Sequence, residues 1–498
     1  MKKTKLVSLF LALALSAGVF SGCAGKTTSS GAPSASSGEA ATASSGATGE
    51  TVNITFLADT NQKNADKVLA AMNEYTKDKI GVTLTFDHSE NKQVVLASSS
   101  DLDLVWLAPW DGAVDLGRKN AIQDITDLLP NYPGLVNMMP AKFWEASKID
   151  GRNYVVPVYK EAFTGVSLIM PKQLVDRVKD EKGFDVTTVK LDTTADWTKL
   201  EPYLAAVKEM GVEYVTGFAR VSYALQLNPN YEDVNGYYAV DTTTNKIIDR
   251  RFTPEYKAFL QMMYDWNQKG YIPDEVAVDG MGDINDNALK ENNLGLSDWW
   301  NTPDNQKNAD GRYSNEMVLI PTMKNYTMSD SVNASSYGIN ARSKKTDACL
   351  KFLELLNTDE KLADMYVYGI EGEDYTRADN IVTVNANAGW SMPLWKACSV
   401  MAPSLSSADS ADKKEQYQAD NEAAVSIKSL GFIPSFDAIS AEKSAVENAA
   451  KEGALLNTGF ENPDEKLDEF LNKLTVAGND KILAELQKQY DEWLKTKK

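Results

Sequence analysis

Short apolar segments of strand type alternate with amphipathic helical segments along this chain, and no other feature limits its possible folds so strongly. Strands are predicted at 52–57, 82–86, 102–107, 154–156, 166–170 and 214–218, and helices at 65–75, 93–97, 199–210, 253–270, 462–474 and 482–494. About 450 residues follow the N-terminal region and 43% of the chain is hydrophobic, enough for two or three domain-sized units. The alternation predicts an α/β protein with largely parallel sheets and a helical C-terminus.

The N-terminus has the features of an export signal. Three Lys residues precede an apolar run of 15 residues (6–20), which is shorter than the roughly 20 residues of a membrane-spanning helix. Small residues and then Cys23 follow, and they resemble a bacterial lipobox, in which the thiol is acylated and the chain is cut directly before it. We predict a lipoprotein signal peptide over 1–22 and a lipid anchor at Cys23, which would hold the protein on the outer face of the cell membrane. The alternative is ordinary secretory cleavage that leaves Cys23 unmodified.

Residues 23–50 join this anchor to the rest of the chain. Ser, Gly, Ala and Thr make up nearly all of the segment, which contains no aromatic residue. It cannot bury enough apolar area to offset its ordering entropy, so we predict a flexible tether.

Charge and cysteine content argue against several classes of protein. The formal net charge is −19, and it becomes −22 once residues 1–22, with three Lys and no acid, are removed. Such an acidic body, without a dense Lys/Arg stripe, is not expected to bind nucleic acid. Cys349 and Cys398 allow at most one disulfide besides the acylated Cys23, and a buried free thiol is the simpler interpretation of Cys349.

The chain has a single histidine, His88. Zinc hydrolases mostly need two or three His ligands, and a His-based triad would have to use this residue, which we interpret as a polar loop residue. Residues 283–294 begin like a calcium loop, but Ala288 and Leu294 stand where Gly and Glu are needed. We predict no metal site, no cofactor and no catalytic residue.

Several short motifs occur in the order typical of one bacterial family. They are DLDLVW at 101–106, AIQDITDLL at 121–129, GRNYVVP at 151–157, YIPD at 271–274, YGIN at 337–340, YGIEGEDY at 368–375 and GFIPS at 431–435. Together they resemble the maltose-binding-protein branch of bacterial extracellular solute-binding proteins, and the last two resemble its Gram-positive lipoprotein subgroup. The resemblance covers most of 51–498 and is weakest at about 176–197 and 385–425.

The resemblance implies a two-lobed periplasmic-binding-protein-like fold of type II, with a hinge and a ligand cleft between the lobes. Lobe one would comprise 51–162 plus 332–428, and lobe two 163–331 plus 429–498. Family members serve ABC importers, and closure of the lobes around a ligand gives the form that the permease recognises. The chain is therefore predicted to be a monomeric receptor, not an enzyme, which captures a sugar or oligosaccharide and delivers it to the transmembrane subunits.

Sugars stack their C–H faces on flat aromatic rings and bind planar polar side chains, and this chain has 10 Trp and 21 Tyr. Open α/β sheets bind ligands at the carboxyl ends of their strands. The candidates near predicted strand ends or at family positions are Trp106, Trp110, Asp111, Tyr159, Glu161, Trp299 and Trp300, followed by Asp59, Asn61, Arg220, Tyr223, Tyr337 and Trp390. Because neighbours in a strand or loop point in different directions, one of Trp299 and Trp300 is expected to pack in a core.

Three alternatives remain. The same receptor fold could carry a peptide, a polyamine or another small solute, and an acidic cleft with Asp111, Glu161 and Asp298 could suit a cation. A secreted glycosidase with two carboxylates would need no His, although 70 acidic residues make some carboxylate pair inevitable. A surface adhesion or scaffolding lipoprotein would not need the two-lobe pattern. The aromatic density favours a sugar.

Overall fold

The computed structural model describes residues 50–89, 91–99, 101–217, 230–275, 282–303 and 305–497. The strands are β1 Val52–Leu57, β2 Val82–Asp87, β3 Leu104–Leu107, β4 Val155–Pro157, β5 Val166–Pro171, β6 Tyr214–Thr216, β7 Tyr231–Asn235, β8 Tyr238–Asp241, β9 Lys246–Asp249, β10 Leu294–Trp300, β11 Met317–Pro321, β12 Tyr326–Thr327, β13 Ser336–Ile339, β14 Tyr375–Ala378, β15 Ile381–Val384 and β16 Val425–Ser426.

The helices are α1 Ala65–Ile80, α2 Lys92–Ser98, α3 Ala113–Arg118, α4 Pro133–Asn137, α5 Ala141–Ala146, α6 Lys172–Lys182, α7 Glu201–Glu209, α8 Pro254–Gln268, α9 Gly282–Lys290, α10 Asn305–Tyr313, α11 Ser329–Val332, α12 Thr346–Thr358, α13 Glu360–Tyr368, α14 Leu394–Ala397, α15 Lys413–Ala423, α16 Ser440–Ala450, α17 Ala454–Asn457, α18 Pro463–Val476 and α19 Asn479–Thr496. None of these helices is both long enough and apolar enough to cross a membrane, as far as the described ranges go. The predicted α/β class and helical C-terminus are confirmed.

Local sequence signals explain where helices begin and end. The Thr253 hydroxyl accepts a hydrogen bond from the N–H of Tyr256 at 3.4 Å, and Pro254 occupies the first turn of α8. Gly270 follows the helix with φ of +66°, a conformation that favours glycine. Helix α18 begins in the same way, because the side chain of Asn462 accepts from the N–H of Asp464.

Two sheets divide the fold into two lobes. The first has the order β2-β1-β3-β13-β4 and the second the order β11-β5-β10-β6. We call the half that contains the first sheet lobe one and the other half lobe two. The buried core around the first sheet draws on 54–162 and 332–402, and the core around the second on 166–320 and 432–490. These ranges lie within the predicted lobes, whose limits remain a prediction.

Each of the two sheets contains one strand that is antiparallel to the other strands. This refines the prediction of largely parallel sheets. Strand β13 is antiparallel to both β3 and β4, and β5 is antiparallel to both β10 and β11. The chain leaves β4 at its carboxyl end and begins β5 only at Val166, after the short segment 158–165. Strands β5 and β13 each begin directly after a crossing, so they run away from the region between the lobes. The remaining strands of the two sheets run towards that region.

Three crossing segments connect the lobes and bond to one another. The first, 158–165, pairs with the second, 322–335, through reciprocal backbone bonds of Thr164 and Tyr326 at 2.8 and 2.9 Å. The third crossing begins with β16, which pairs with β12 in parallel register. The crossings therefore form a hinge at the carboxyl ends of β4 and β11, and the two sheets present their carboxyl edges to one cleft.

Two smaller sheets were missed by the sequence analysis. Strands β7, β8 and β9 form an antiparallel sheet on lobe two, and β14 and β15 form a hairpin on lobe one. Their sequences carry many charged and polar residues, such as YEDVN at 231–235 and YTRA at 375–378, so they lack the apolar runs that mark buried strands.

Trp390 is a structural anchor of lobe one. It is fully buried, stacks on Phe86 with ring centroids 6.0 Å apart, and donates its indole N–H to the carbonyl of Tyr366 at 2.8 Å. Its own backbone N–H donates to the Asp374 carboxylate at 3.1 Å. We expect Trp390→Ala to lower the free energy of unfolding by about 3–5 kcal/mol, because it leaves a cavity the size of an indole. Urea unfolding measures this loss; the exposed Trp110→Ala variant is the control, and equal values for the two would contradict the assignment.

Candidate ligand-binding cleft

A lysine–aspartate pair lies at the carboxyl end of β3. The ammonium of Lys92, on α2, is 2.8 Å from the Asp111 carboxylate and 4.1 Å from the centroid of the Trp106 ring. Asp111 ends the short helical turn Pro109–Asp111, and its carboxylate also accepts the backbone N–H of Ala108. The pair is therefore held to the strand end by a backbone bond and by a cation–π contact.

A second lysine–aspartate pair lies beside the first. The ammonium of Lys396, on α14, is 2.9 Å from the Asp59 carboxylate after β1 and 5.3 Å from the Trp106 ring. The ring of Trp395 meets Trp106 edge to face at 5.6 Å. We call this group the lobe-one edge cluster; it consists of Asp59, Lys92, Trp106, Asp111, Trp395 and Lys396.

Trp106 supports this cluster instead of offering a free face to a ligand, which corrects the expectation from sequence. It is 2% exposed, and its indole N–H donates to the Ser335 hydroxyl at 2.8 Å. Lys92, Lys396 and Trp395 cover its ring. The rings that remain accessible at this edge are Trp110, 74% exposed, and Trp395, 38% exposed.

The adjacent tryptophans of lobe two lie in different surroundings; Trp299 is half-buried, so the expectation that one of them packs in a core remains a prediction. Trp299 packs edge to face on Tyr313 at 6.0 Å and donates its indole N–H to the Asn305 side chain at 2.6 Å. Trp300, the last residue of β10, is 45% exposed at the carboxyl end of the strand. Among the described residues, Trp300 is thus an accessible aromatic ring at the lobe-two edge.

Side-chain amides line the same edge beside Trp300. Asn301 accepts from the Ser167 hydroxyl at 2.6 Å and donates to the Asn325 side chain at 3.0 Å. These amides lie against the backbone of Gly165 in the first crossing, where a Cβ would lie 1.9 Å from the Asn325 oxygen. A larger residue here would displace these amides, which tie β10 to the hinge.

Three sequence candidates lie in the core of lobe one and not at the cleft surface. Tyr337 is buried and donates its hydroxyl to the carbonyls of Lys396 and Ala397, and burial raises its pKa. Tyr159 packs on Phe143, and burial is the main cause that raises its pKa too. Trp390 is the third. In each case an apolar strand or loop buries an aromatic ring that sequence alone cannot distinguish from an exposed one.

The remaining candidates have mixed outcomes. Glu161 lies in the first crossing and pairs with its neighbour Lys160 at 2.8 Å. Asn61 is exposed in the loop after β1, and His88 lies after β2 with a ring nitrogen 3.3 Å from the Thr60 hydroxyl. Arg220 and Tyr223, like Cys23, lie outside the described residues.

The two cysteines of the body form no disulfide with each other. Cys349 and Cys398 are free, buried thiols, and burial raises the pKa of both. Within the described ranges, no three His, Cys, Asp or Glu side chains are grouped so that they could hold a metal ion.

Sequence analysis missed Lys92, Trp395 and Lys396. The two lysines carry no local signal, because they reach Trp106 only through folding, and Trp395 falls in the stretch that fits the family resemblance least. Together the edges offer exposed indole faces, ammonium donors, carboxylate acceptors and amides. Such a set can stack on a sugar ring and bond its hydroxyl groups.

Known proteins are similar to this chain over most of its length. A carbohydrate ABC transporter substrate-binding protein of Streptococcus pneumoniae serotype 4 is 25% identical over 467 residues, which cover 87% of this chain and 89% of that protein. The predicted family resemblance is confirmed. Residues 428–495 match a family described as a domain of unknown function, DUF3502.

Solved structures share the fold. The N-glycan transport solute binding protein (NgtS) of Streptococcus pneumoniae superimposes with a TM-score of 0.76 at 22% identity, covering 90% of this chain and all of that one. The same protein in complex with Man5GlcNAc gives a TM-score of 0.65 at 24% identity, over 90% of this chain and all of that one. An HMO-binding solute-binding protein of Bifidobacterium longum infantis gives 0.61 at 16% identity, with 89% and 99% covered. The two-lobed solute-binding fold is thereby confirmed.

The Lys92–Asp111 pair should stabilise the lobe-one edge. Its side chains are only 11% and 16% exposed, so Lys92→Met leaves a poorly hydrated carboxylate without its cation and should lower the free energy of unfolding by about 1–3 kcal/mol. The control is Lys172→Met, whose pair with Asp176 is 45% and 53% exposed and should contribute nothing measurable. Urea unfolding compares the two variants, and equal effects would show that the Lys92 pair is solvent-screened.

Proposed function

We propose that this chain is the extracellular receptor of an ABC importer and that it binds a neutral oligosaccharide in the cleft between its lobes. Closure of the lobes would enclose the sugar, and the closed form would deliver it to the permease. The homologous carbohydrate receptor, which covers most of the chain, supports the transport role. The arrangement of the cleft supports the class of cargo.

The observation that carries the proposal is the placement of accessible indole rings at both cleft edges. Trp110 and Trp395 lie at the edge of lobe one, and Trp300 lies at the edge of lobe two. Exposed tryptophans are costly in water, and rings at the two edges of one cleft are suited to hold the apolar faces of a sugar between them.

The charge balance of the lobe-one edge favours a neutral cargo over a polyamine. Three acidic groups at or beside this edge, Asp59, Asp111 and Glu161, are each paired with a lysine at 2.8–2.9 Å. An acidic cleft that attracted a cation would keep such carboxylates unpaired. Although the whole chain has a negative net charge, these paired carboxylates are neutralised by their lysines.

The same pairing argues against a glycosidase. Hydrolysis needs one carboxyl group that holds a proton and a second that acts as nucleophile or base. A carboxylate bonded to an ammonium is held in its charged form and is a poor proton donor. The homologues are binding proteins, which agrees with a receptor that returns its sugar unchanged.

The test is a titration of residues 51–498 with Man1GlcNAc, Man5GlcNAc, maltotriose, a uronate oligosaccharide, a peptide mixture and spermidine. Thermal shift and tryptophan fluorescence report binding, and a ligand at about one hundred times its Kd should add about 2.7 kcal/mol of stability. We expect a neutral oligosaccharide to saturate the protein and to be recovered unchanged. Trp300→Ala should weaken this binding about tenfold or more, since an aromatic anchor is removed.

Tyr75→Ala is the matched control. This aromatic side chain lies near the end of α1 that is remote from the cleft, and it bonds Asp359. Its loss should affect stability and leave the sugar affinity unchanged. Binding of spermidine or peptide alone would replace the proposed cargo, and a cleaved sugar would identify an enzyme.

The location of the receptor is a further part of the proposal. A thioether-linked lipid on Cys23 would hold the body at the outer face of the membrane. The flexible tether, residues 23–50, would let the body move away from the membrane surface. Cys23→Ala should release the protein into the medium and abolish labelling with radioactive palmitate. Ser21→Ala keeps the thiol and should remain membrane-bound, whereas membrane retention of the Cys23→Ala protein would contradict the anchor.

A further inference from the structure

An arginine of lobe one is bonded to the backbone of lobe two. Arg118 is the last residue of α3, which lies between β3 and β4 in the chain. Its guanidinium donates to the carbonyl of Ile433 at 2.5 Å and to the carbonyl of Pro434 at 2.9 Å. These carbonyls belong to the irregular segment 431–436, which follows the third crossing. Hydrogen bonds from a guanidinium are roughly twice as strong as those between neutral groups, so this contact is a strong link between the lobes.

Asp150 orients the guanidinium on the side of lobe one. Both oxygens of the Asp150 carboxylate accept from Arg118, at 2.9 Å each. Asp150 lies in a tight turn, which reciprocal backbone bonds between Ile149 and Arg152 close at 2.8 and 3.0 Å. The Arg118 side chain is only 13% exposed. A two-point pair with a rigid turn therefore directs the remaining N–H groups of Arg118 towards lobe two.

Lobe two holds the accepting segment from both of its ends. Phe432 packs in the core of lobe two, with its ring centroid 5.1 Å from that of Tyr490. Ser435 exchanges two hydrogen bonds with the side chain of Gln489, at 2.8 Å each. Tyr490 and Gln489 both lie on α19, the C-terminal helix. The two carbonyls between Phe432 and Ser435 therefore move with lobe two, so a rotation of the lobes changes their distance from Arg118.

Two cavities adjoin this contact, so the lobes are not close-packed around it. One, of about 560 Å³, is lined by Arg118 and by residues of α19. The other, of about 300 Å³, is lined by 112–115 of lobe one and by Ile433. The neighbouring pair of Lys497 and Glu145 has an N···O distance of 3.8 Å and is exposed, so it adds little. The bonds of Arg118, more than apolar burial, therefore hold the lobes together at this place.

The contact is made while the cleft is open. Trp110 and Trp395 at the edge of lobe one and Trp300 at the edge of lobe two are exposed in the same structure, whereas a closed cleft would cover rings that hold a ligand. The bonds of Arg118, at 2.5–2.9 Å, already have the length of strong hydrogen bonds. Closure of the lobes therefore cannot strengthen them, and a rotation of a few ångströms at this place breaks them.

We propose that Arg118, Asp150 and the carbonyls of Ile433 and Pro434 form an interlobe latch, which stabilises the cleft-open receptor and is released when the lobes close around a sugar. Arg118 is thus a positioning residue, because it acts on the ligand through the lobe equilibrium without touching it. The latch gives the C-terminal segment 428–497 a role in setting the opening of the cleft. Its effect on sugar binding rests on the proposed function, whereas its effect on the lobe arrangement does not.

The interlobe latch determines how much of the ligand-free protein is closed. A ligand that is held by the closed form has an apparent Kd that rises as the closed fraction falls. Removal of a bond that exists only in the open form raises this fraction, so it should tighten sugar binding although no ligand contact is gained. A residue that only supports the fold has a different effect, because its loss lowers stability and does not tighten binding.

The experiment combines sugar affinity with small-angle X-ray scattering for two variants of residues 51–498. Arg118→Met removes the guanidinium, and its Kd for the neutral oligosaccharide that saturates the wild type, Man1GlcNAc or Man5GlcNAc first, should be about tenfold lower. The ligand-free variant should have a smaller radius of gyration than the ligand-free wild type, and the two proteins should agree at saturating sugar. Asp150→Asn changes the exposed partner of the pair and should shift both quantities in the same direction by a smaller amount.

Arg152→Met is the matched control. Arg152 lies in the same turn as Asp150, but its guanidinium pairs with Asp124 and Asp127, which both belong to lobe one. The control therefore removes an arginine and its ion pairs from the same surface without touching a bond between the lobes. Its sugar affinity and its radius of gyration should equal those of the wild type.

The outcomes separate the interlobe latch from the proposed function. If no saccharide saturates the wild type, the proposed function fails, and scattering from the ligand-free proteins still tests the latch. If the wild type binds sugar and Arg118→Met binds it equally or more weakly, the latch is wrong while the receptor function stands, and Arg118 is a structural link. Equal radii of gyration for the ligand-free wild type and Arg118→Met, or an equal gain in affinity for Arg152→Met, would overturn the latch as well.

Discussion

The hydrogen bonds among the three crossing segments are the constraint on which the rest of the structure depends. Reciprocal bonds of Thr164 and Tyr326 join the first two crossings, and the N–H of Val425 donates to the carbonyl of Asn325 at 2.9 Å to add the third. Because the crossings lie at the carboxyl ends of β4 and β11, the strands that follow them must run backwards. The position of the crossings thus determines which strand of each sheet is reversed, and it also determines where the cleft lies.

The cleft also resolves an apparent conflict between composition and cargo. A body with a net charge of −22 without its signal peptide would be expected to attract cations. At the edge of lobe one, however, Lys92 and Lys396 neutralise Asp111 and Asp59 and lie over the ring of Trp106. Short-range pairing outweighs the long-range field there, since charges separated by more than a Debye length of about 8–10 Å are screened by salt. This part of the lobe-one edge is therefore locally neutral.

Most of the fold could be predicted from sequence, and much of the site could not. The strands at 52–57 and 166–170 and the capped helix at 253–270 appear almost as predicted, because local periodicity and caps determine them. The role of Trp106 was missed, because whether an indole at a strand end is open or covered depends on side chains far along the chain. Trp395 covers it from 289 positions away, and no local pattern encodes that contact.

The second crossing contains buried polar side chains that no other described protein group satisfies. Among the described residues, the side chains of Thr327, Asn333 and Ser336 are buried without a hydrogen-bond partner, and all three belong to or directly follow the second crossing. A buried polar group without a partner costs about 1–3 kcal/mol, so these three side chains reduce the stability that the second crossing contributes. A receptor that must open and close cannot satisfy every hinge group in one state, because a hinge fully bonded in one arrangement would resist the other. The weakly satisfied second crossing therefore couples the energetics of the hinge to the place where the two lobes meet.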